Sequence, residues 1–261
     1  HYDGYHFREN SVGVYNPFSL LNTFESLVFN DYWFATGTPT FLVKLLQAKN
    51  YKLGDLEGKK VMPDALSTTD TAMSDPLPVL YQSGYLTIKG YDRNMRIYTL
   101  GYPNEEVERG FLNFLLPYYT PISNDDKASF LSGFVMAVNE GRPEDFLLLT
   151  QTMLAGRDYR IAGEAEKYFQ NTFYLIFQLL GFNAQVEQAT SQGRIDLVIQ
   201  TKDFVYIMEL KLDKTAEEAL AQIKEKGYAR PFQGDGRKKF LIGVNFSSET
   251  RTLEKWIVEE A

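Results

Sequence analysis

The sequence predicts a mixed α/β chain, α+β overall, with its chemistry concentrated in the C-terminal part. Three observations lead there. Residues 163–261 alternate helical and strand patterns in the order α-β-β-β-α-β-α. An apolar hairpin inside that stretch carries one acidic residue on each strand. Residues 1–115, rich in aromatics, Asn, Gly and turn signals, read as a separate module.

The first helix is signalled by Asn16-Pro17, an N-cap and an N1 proline, and runs through Leu20, Leu21, Phe24 and Leu27. Thr38-Pro39 repeats the device before Phe41, Leu42, Leu45 and Leu46. Residues 50–78 show little periodicity and predict loop with short strands. Residues 85–89 and 96–100 flank Gly90-Tyr-Asp-Arg-Asn, a β-hairpin pattern; with the helices it suggests a winged-helix-like module. Two amphipathic helices come next, from about Asp125 through Val138 and from Pro143 through Leu149. A long helix from about Glu164 should stop at Gly181. Strands are expected near 184–188, over 194–200 and over 204–212, the last two joined around Lys202-Asp203. Thr215-Ala-Glu-Glu218 is a capping box opening a helix to about Lys226. A strong apolar strand at 239–246 precedes a final helix through Leu253, Trp256 and Ile257.

Composition narrows the chemistry. At 261 residues and 44% hydrophobic, the chain can bury a large core, so wholesale disorder is excluded. No apolar run reaches the ~18 residues of a membrane span. There is no Cys, and His1 and His6 are the only histidines. Thiolate chemistry is excluded, and His-rich metal sites and Ser–His–Asp triads are disfavoured. Catalysis must rest on carboxylates, Lys, Tyr, Ser or a bound metal. The absence of Cys fits a reducing compartment, so a cytoplasmic location is expected. The net charge of −7 at first argues against a nucleic-acid partner. It is unevenly spread: residues 1–150 carry 12 Lys and Arg against 18 Asp and Glu, residues 151–261 carry 15 against 16.

The chemistry sits in the hairpin Arg194-Ile-Asp-Leu-Val-Ile-Gln and Val205-Tyr-Ile-Met-Glu-Leu-Lys. With the turn centred between Lys202 and Asp203, Ile199 opposes Tyr206, Val198 opposes Ile207, Leu197 opposes Met208 and Asp196 opposes Glu209. Both faces are largely apolar, so the hairpin is buried. Two carboxylates directly opposed, roughly 5 Å apart at Cβ, destabilise a sheet unless something positive offsets them. Lys211, two residues after Glu209, points to the same face. A hard divalent cation held by Asp196 and Glu209 is the other compensator. That set suits metal-assisted phosphodiester cleavage, with Lys211 orienting the attacking water or stabilising developing charge. Glu166, or Glu164, on the preceding helix is a third acidic candidate, with Gln170 one turn further on the same face. The plain alternative is a pair of edge charges matched by Lys211 and Arg194.

At these residues the sequence resembles the PD-(D/E)xK nuclease superfamily. The resemblance implies a restriction-endonuclease-like αβββαβ core, with Asp196, Glu209, Lys211 and Glu166 as catalytic residues. Of these, Asp196, Glu209 and Glu166 would hold Mg²⁺ or Mn²⁺. Gln222 and Tyr228 stand where several such nucleases carry Gln and Tyr, although their spacing departs from Q-x-x-x-Y and puts Tyr228 beyond the helix. Arg194, Arg230 and Lys238, with Gln222 and Tyr228, are the nucleic-acid-binding candidates; Arg237 and Lys239 lie beside them.

Over its whole length the chain is similar to predicted AAA-ATPase proteins with a C-terminal PD-(D/E)xK domain, of the type common in Bacteroidetes. Tyr2-Asp-Gly-Tyr, Tyr15-Asn-Pro-Phe-Ser, Tyr32-Trp, Gly84-Tyr-Leu-Thr-Ile, Gly193-Arg-Ile-Asp, Ala219-Leu-Ala-Gln-Ile and Gly227-Tyr carry that likeness. It implies residues 1–115 as the C-terminal lid and winged-helix-like part of an ATPase, 116–160 as a helical linker and 161–261 as the nuclease-like domain. No G-x-x-x-x-G-K-[ST] is present, so no ATP hydrolysis is expected of this chain, and an upstream ATPase domain is an expected partner. The function expected is metal-dependent cleavage of DNA, or of RNA. The alternative is a silent nucleic-acid-binding or protein-interaction module that keeps the nuclease fold.

Overall fold

The computed structural model describes residues 1–9, 11–36, 40–67, 75–120, 124–155, 165–190, 193–250 and 252–261; the side chains of 35–36, 124–128, 155, 165–169 and 183–190 fall outside that description. The chain divides into two compact units, His1–Leu115 and Leu116–Ala261.

In the first unit, helix α1 (Pro17–Ser26) starts as its sequence dictates: the Asn16 side chain accepts from the Phe18 and Ser19 N–H groups. Thr38-Pro39 lies outside the described residues; helix α2 (Thr40–Ala48) comes after it and buries Leu42, Val43 and Leu46. Strand β1 (Lys59–Val61), helix α3 (Leu77–Gln82), strand β2 (Thr87–Asp92) and strand β3 (Ile97–Gly101) come next. The expected hairpin is β2–β3, paired from Asp92↔Ile97 to Thr87↔Gly101, and β1 completes a sheet in the order β1-β3-β2. Helix α4 (Glu105–Tyr119), unanticipated from the sequence, begins with Glu105, Glu106 and Glu108 in its first turn, where the helix dipole favours acidic residues. Glu106 is fully buried; its Oε1 accepts from Ser19 Oγ at 2.7 Å and from the Trp33 N–H at 2.9 Å.

The second unit has three layers. Helices α5 (Asn124–Asn139), α6 (Pro143–Ala155) and α7 (Ala165–Leu179) form one. A five-stranded sheet forms the next: β4 (Asn183–Thr190), β5 (Gly193–Gln200), β6 (Phe204–Leu212), β7 (Lys238–Phe246) and β8 (Leu253–Glu260), in sequence order. Helix α8 (Ala216–Glu225) crosses from β6 to the parallel strand β7 and makes the third. All other neighbours in the sheet are antiparallel. Residues 124–155, read from the sequence as linker, are thus a packed layer of this unit. Phe134, Phe146 and Phe177 from α5, α6 and α7 build an aromatic column that continues through Tyr206 and Phe240 of the sheet.

Two helix ends obey their sequence signals. Helix α7 stops as expected at Gly181: the Phe182 N–H bonds to the Phe177 carbonyl and the Gly181 N–H to that of Gln178. This is a Schellman turn, with the rings of Phe182 and Phe177 in contact. Helix α8 opens on the predicted capping box, Thr215 and Glu218 satisfying each other's backbone N–H groups.

One element differs in kind. Residues 253–260 form strand β8, antiparallel to β7, where a helix was expected. Leu253, Trp256 and Ile257 fit helical spacing, but Trp256, Ile257 and Val258 are strong strand formers. Pairing also covers the open edge of β7.

Candidate active site

The β5–β6 pairing has the predicted register: Leu197↔Met208, Val198↔Ile207 and Ile199↔Tyr206. The ladder extends to Gln200↔Val205 at one end and stops at Leu197↔Met208 at the other, one residue short of the two acids. Beyond that point the Asp196 side chain takes over, its Oδ2 accepting the Leu210 N–H at 2.8 Å. Alternation also breaks there. Ile195, expected on the face opposite Val198, joins Val198 and Ile207 in the core cluster beneath α8.

Glu209 is 2% exposed. Its Oε1 receives Lys211 Nζ at 2.8 Å and also Gln222 Nε2. A buried carboxylate is tolerated only when paired and hydrogen-bonded, and this one is both. Lys211 comes from the same strand two residues on; Gln222 comes from the second half of α8.

Gln222 reaches so far because α8 lies unusually close to the sheet. Glu209 is in register with Gly243 on β7. A Cβ at Gly243 would stand 2.3 Å from the Ala216 carbonyl oxygen and 2.6 Å from the Leu220 nitrogen, so only glycine lets the helix backbone settle there. The loop into α8 is fixed as well: Ser248 donates its N–H and its hydroxyl to Asp213, holding that carboxyl below its ordinary range.

Tyr228 does lie beyond α8, as its spacing predicts, yet it returns to the site. Gly227, at φ 60°, makes a second Schellman turn in which the Tyr228 N–H bonds to the Ile223 carbonyl. The turn folds the ring under the helix, 2% exposed, with its hydroxyl 3.4 Å from Gln222 Nε2. A Cβ on Gly193 would come within 2.9 Å of the same hydroxyl. The structure therefore brings together Asp196, Glu209, Lys211, Gln222 and Tyr228.

The other candidates are placed differently. Glu166 lies in the first turn of α7 but its side chain is outside the described residues, and Glu164 lies outside them altogether. Gln170 is buried, and its Oε1 finds no partner among the described residues. Arg194 is exposed two positions before Asp196 on β5, and Arg230 is exposed beside Gly227. Lys238 is in register with Phe204, five positions from the Glu209–Gly243 pair, or about 17 Å along the strands. It bridges to Glu260 and sits over the Phe240 ring. Arg237 ties Asp235 to the β5–β6 turn through Thr201 O and Gln200 Oε1, and Lys239 caps the carbonyls of Asp235 and Arg237. These three basic residues brace the far end of the sheet, away from the carboxylates.

Sequence reasoning missed Gly243, although a glycine inside the apolar run Phe-Leu-Ile-Gly-Val-Asn-Phe is a signal of close backbone approach. It also missed a groove of about 320 Å³ that opens beside Lys211 and Gln222 and is walled by Lys214, Glu218, Ala221, Glu225 and Lys226.

Comparison with known proteins agrees with this geometry. A family model for the PD-(D/E)XK nuclease superfamily matches residues 164–256. An uncharacterised protein encoded in the 5′ region of vnfD in Azotobacter chroococcum mcd 1 is 34% identical over 277 residues. The match takes in 99% of this chain and 51% of that protein, so the chain spans about half the length of the curated relative it matches. No solved structure matches. An acid on each of two splaying strands, a lysine two residues after the second acid and a matching family model converge: residues 164–256 are a PD-(D/E)XK nuclease superfamily domain.

Proposed function

We propose that the chain carries a metal-dependent phosphodiesterase site that cleaves DNA, or RNA, with Asp196, Glu209 and Lys211 as its centre. One observation carries this reading: the buried Glu209 carboxylate, shared by Lys211 and Gln222, beside an Asp196 whose strand has just left the ladder.

The donor set suits a hard divalent cation. Asp196 and Glu209 offer carboxylate oxygens, the ligands that Mg²⁺ and Mn²⁺ prefer. Among the described residues no group of three or more His, Cys, Asp and Glu forms a cage. Mg²⁺ is ordinarily held by one or two carboxylates together with water and substrate phosphate, so a pair is sufficient. When bound, the cation would lower the pKa of a coordinated water and polarise the phosphate. Glu166 joins this proposal as a third ligand.

The chain's own residues supply the rest. Gln222 fixes the orientation of Glu209, and Tyr228 supports Gln222 from below. Lys211 holds a positive charge where the attacking water loses its proton and where charge builds on the phosphate oxygens. Arg194 and Arg230, both exposed, are proposed contacts to the substrate backbone. An ATPase region on the same polypeptide belongs to this proposal too; it rests on the sequence resemblance and on the greater length of the Azotobacter protein.

The test is cleavage of single- and double-stranded substrates across Mg²⁺, Mn²⁺ and Ca²⁺. Asp196→Ala, Glu209→Ala and Lys211→Ala should each abolish it; metal-dependent cleavage that survives all three would sink the assignment. A second reading, a silent nucleic-acid-binding or protein-interaction module, is favoured by the Lys211–Glu209 bridge, which closes the lysine onto its neighbour. Salt-dependent binding without cleavage under any metal would establish the binding form of it.

A further inference from the structure

Resting on the nuclease reading above, we propose that Asn245 is a positioning residue for Lys211. Its side-chain carbonyl is a second seat for the lysine ammonium, used when Glu209 turns to a divalent cation. Glu209 has two duties: it holds Lys211 Nζ at 2.8 Å, and it is a proposed metal ligand. An ammonium displaced from that carboxylate is repelled by a nearby dication unless another acceptor holds it aside.

Asn245 is placed to be that acceptor. It is the register partner of Lys211 on the parallel strand β7, about 4.8 Å away across the ladder. Both side chains lie on the face of the sheet that α8 covers. Leu241 joins the core cluster beneath α8, Gly243 abuts the helix backbone, and alternation puts Asn245 on the same side. Lys211 shares that side with Glu209, whose carboxylate Gln222 reaches from α8.

The amide is also oriented. The β7–β8 register passes from Asn245↔Lys255 to Phe246↔Leu253, so Glu254 is an extra residue in β8, a β-bulge. Its Oε2 accepts from Asn245 Nδ2 at 3.3 Å, and its Oε1 accepts from Thr250 Oγ1 at 3.3 Å. An ionised carboxylate only accepts, so the nitrogen end of the amide has to face β8. That turns Oδ1 toward the other neighbour, β6, where Lys211 stands. Asn245 is 9% exposed, and its Oδ1 is buried with no hydrogen-bond partner among the described residues. A buried carbonyl oxygen is costly to leave unpaired. A lysine has three donors on a flexible four-carbon stem, and Lys211 can satisfy this oxygen by swinging across a single strand.

The experiment measures Mn²⁺ affinity by calorimetry, and cleavage of an oligonucleotide in Mn²⁺, both on the full chain. Asn245→Leu keeps the bulk of the side chain and removes the acceptor. It should weaken Mn²⁺ binding and lower kcat, each about tenfold or more, as changes to the partners of metal ligands do, with KM for the oligonucleotide unchanged. Asn245→Ala, which cannot overpack, should give the same pattern. Asn245→Asp combined with Glu254→Gln swaps the amide and the carboxylate; it keeps an oxygen facing β6 and should restore most of both losses. In a Lys211→Met background, Asn245→Leu should have no further effect on Mn²⁺ affinity, because the ammonium it serves is gone. An undiminished effect in that background would show that the amide does not act through the lysine, and would overturn the proposal. Wild-type kcat and Mn²⁺ affinity in both Asn245→Leu and Asn245→Ala would overturn it too; in either case the nuclease reading stands. If the wild type neither binds Mn²⁺ nor cleaves, the nuclease reading fails and this inference with it.

Discussion

Glu209 and Tyr228 show how much of the site depends on single atoms. Glu209 is buried, and two donors converge on one of its oxygens. Gln222→Ala should leave the fold intact but lower the affinity for Mn²⁺, read by calorimetry, because Glu209 loses the donor that orients it. Tyr228→Phe removes only a long hydrogen bond, on the order of 0.5–1.5 kcal/mol. Its effect should appear as a modest loss in turnover with melting temperature nearly unchanged; an unaltered rate would show that the hydroxyl is a bystander. A different buried acid governs the first unit. Burial raises the Glu106 carboxyl above its ordinary range, and its Oε2 finds no partner among the described residues. A carboxyl whose folded pKa lies above the unfolded one stabilises the fold below the unfolded value, and that stability is lost as pH rises through the folded value. Glu106→Gln should therefore melt no lower than wild type at neutral pH and show a shallower decline in melting temperature as pH rises from the acidic side, the remainder belonging to Asp31 and Glu108, whose carboxyls burial also raises. Calorimetry across that range decides it.

At the scale of elements, the site is a problem of distance between a helix and a sheet. Gly243 permits the approach of α8 that lets Gln222 touch Glu209. Gly243→Ala must push the helix outward, at a cost of about 1–3 kcal/mol for overpacking. The expected outcome is a lowered melting temperature together with a loss of activity larger than that of Gln222→Ala. Activity retained at a lowered melting temperature would show that the helix can shift without disturbing Glu209. The β5–β6 register was legible because alternation and one turn position determine every pair in a hairpin. The capping box of α8 was legible because it needs only four consecutive residues. The splay at Asp196 was not, since a sequence pattern continues a ladder until something ends it. Strand β8 was misread because Leu253, Trp256 and Ile257 satisfy two periods at once, and only the open edge of β7 decides between them. The distance of Lys238 from the carboxylates was hidden for a related reason: nearness in sequence to Arg237 and Arg230 says nothing about which end of a parallel strand a residue occupies.

For the whole molecule, the proposed metal site has a consequence for stability. Most of the net negative charge belongs to residues 1–150, so residues 151–261 are nearly neutral before any cation is counted. Mn²⁺ held at the proposed site in the folded chain alone would stabilise it by linkage, by about 2.7 kcal/mol at a hundredfold excess over Kd. A calorimetric scan should show this as an upward shift of the transition belonging to Leu116–Ala261, absent in the Asp196→Ala, Glu209→Ala double variant. An equal shift in that variant would place the metal elsewhere.

The parallel pairing of β6 with β7 also sets an order of events in time. Asp196 and Glu209 lie on a local hairpin, whose strands can meet within microseconds. Gln222 arrives only when α8 has formed and β7 has closed a non-local contact, which is intrinsically slower. During refolding, the two acids should therefore come within reach of each other before the chain can use them. A refolding intermediate that binds Mn²⁺ but does not yet cleave is the kinetic signature of a site assembled from one early hairpin and one late crossover.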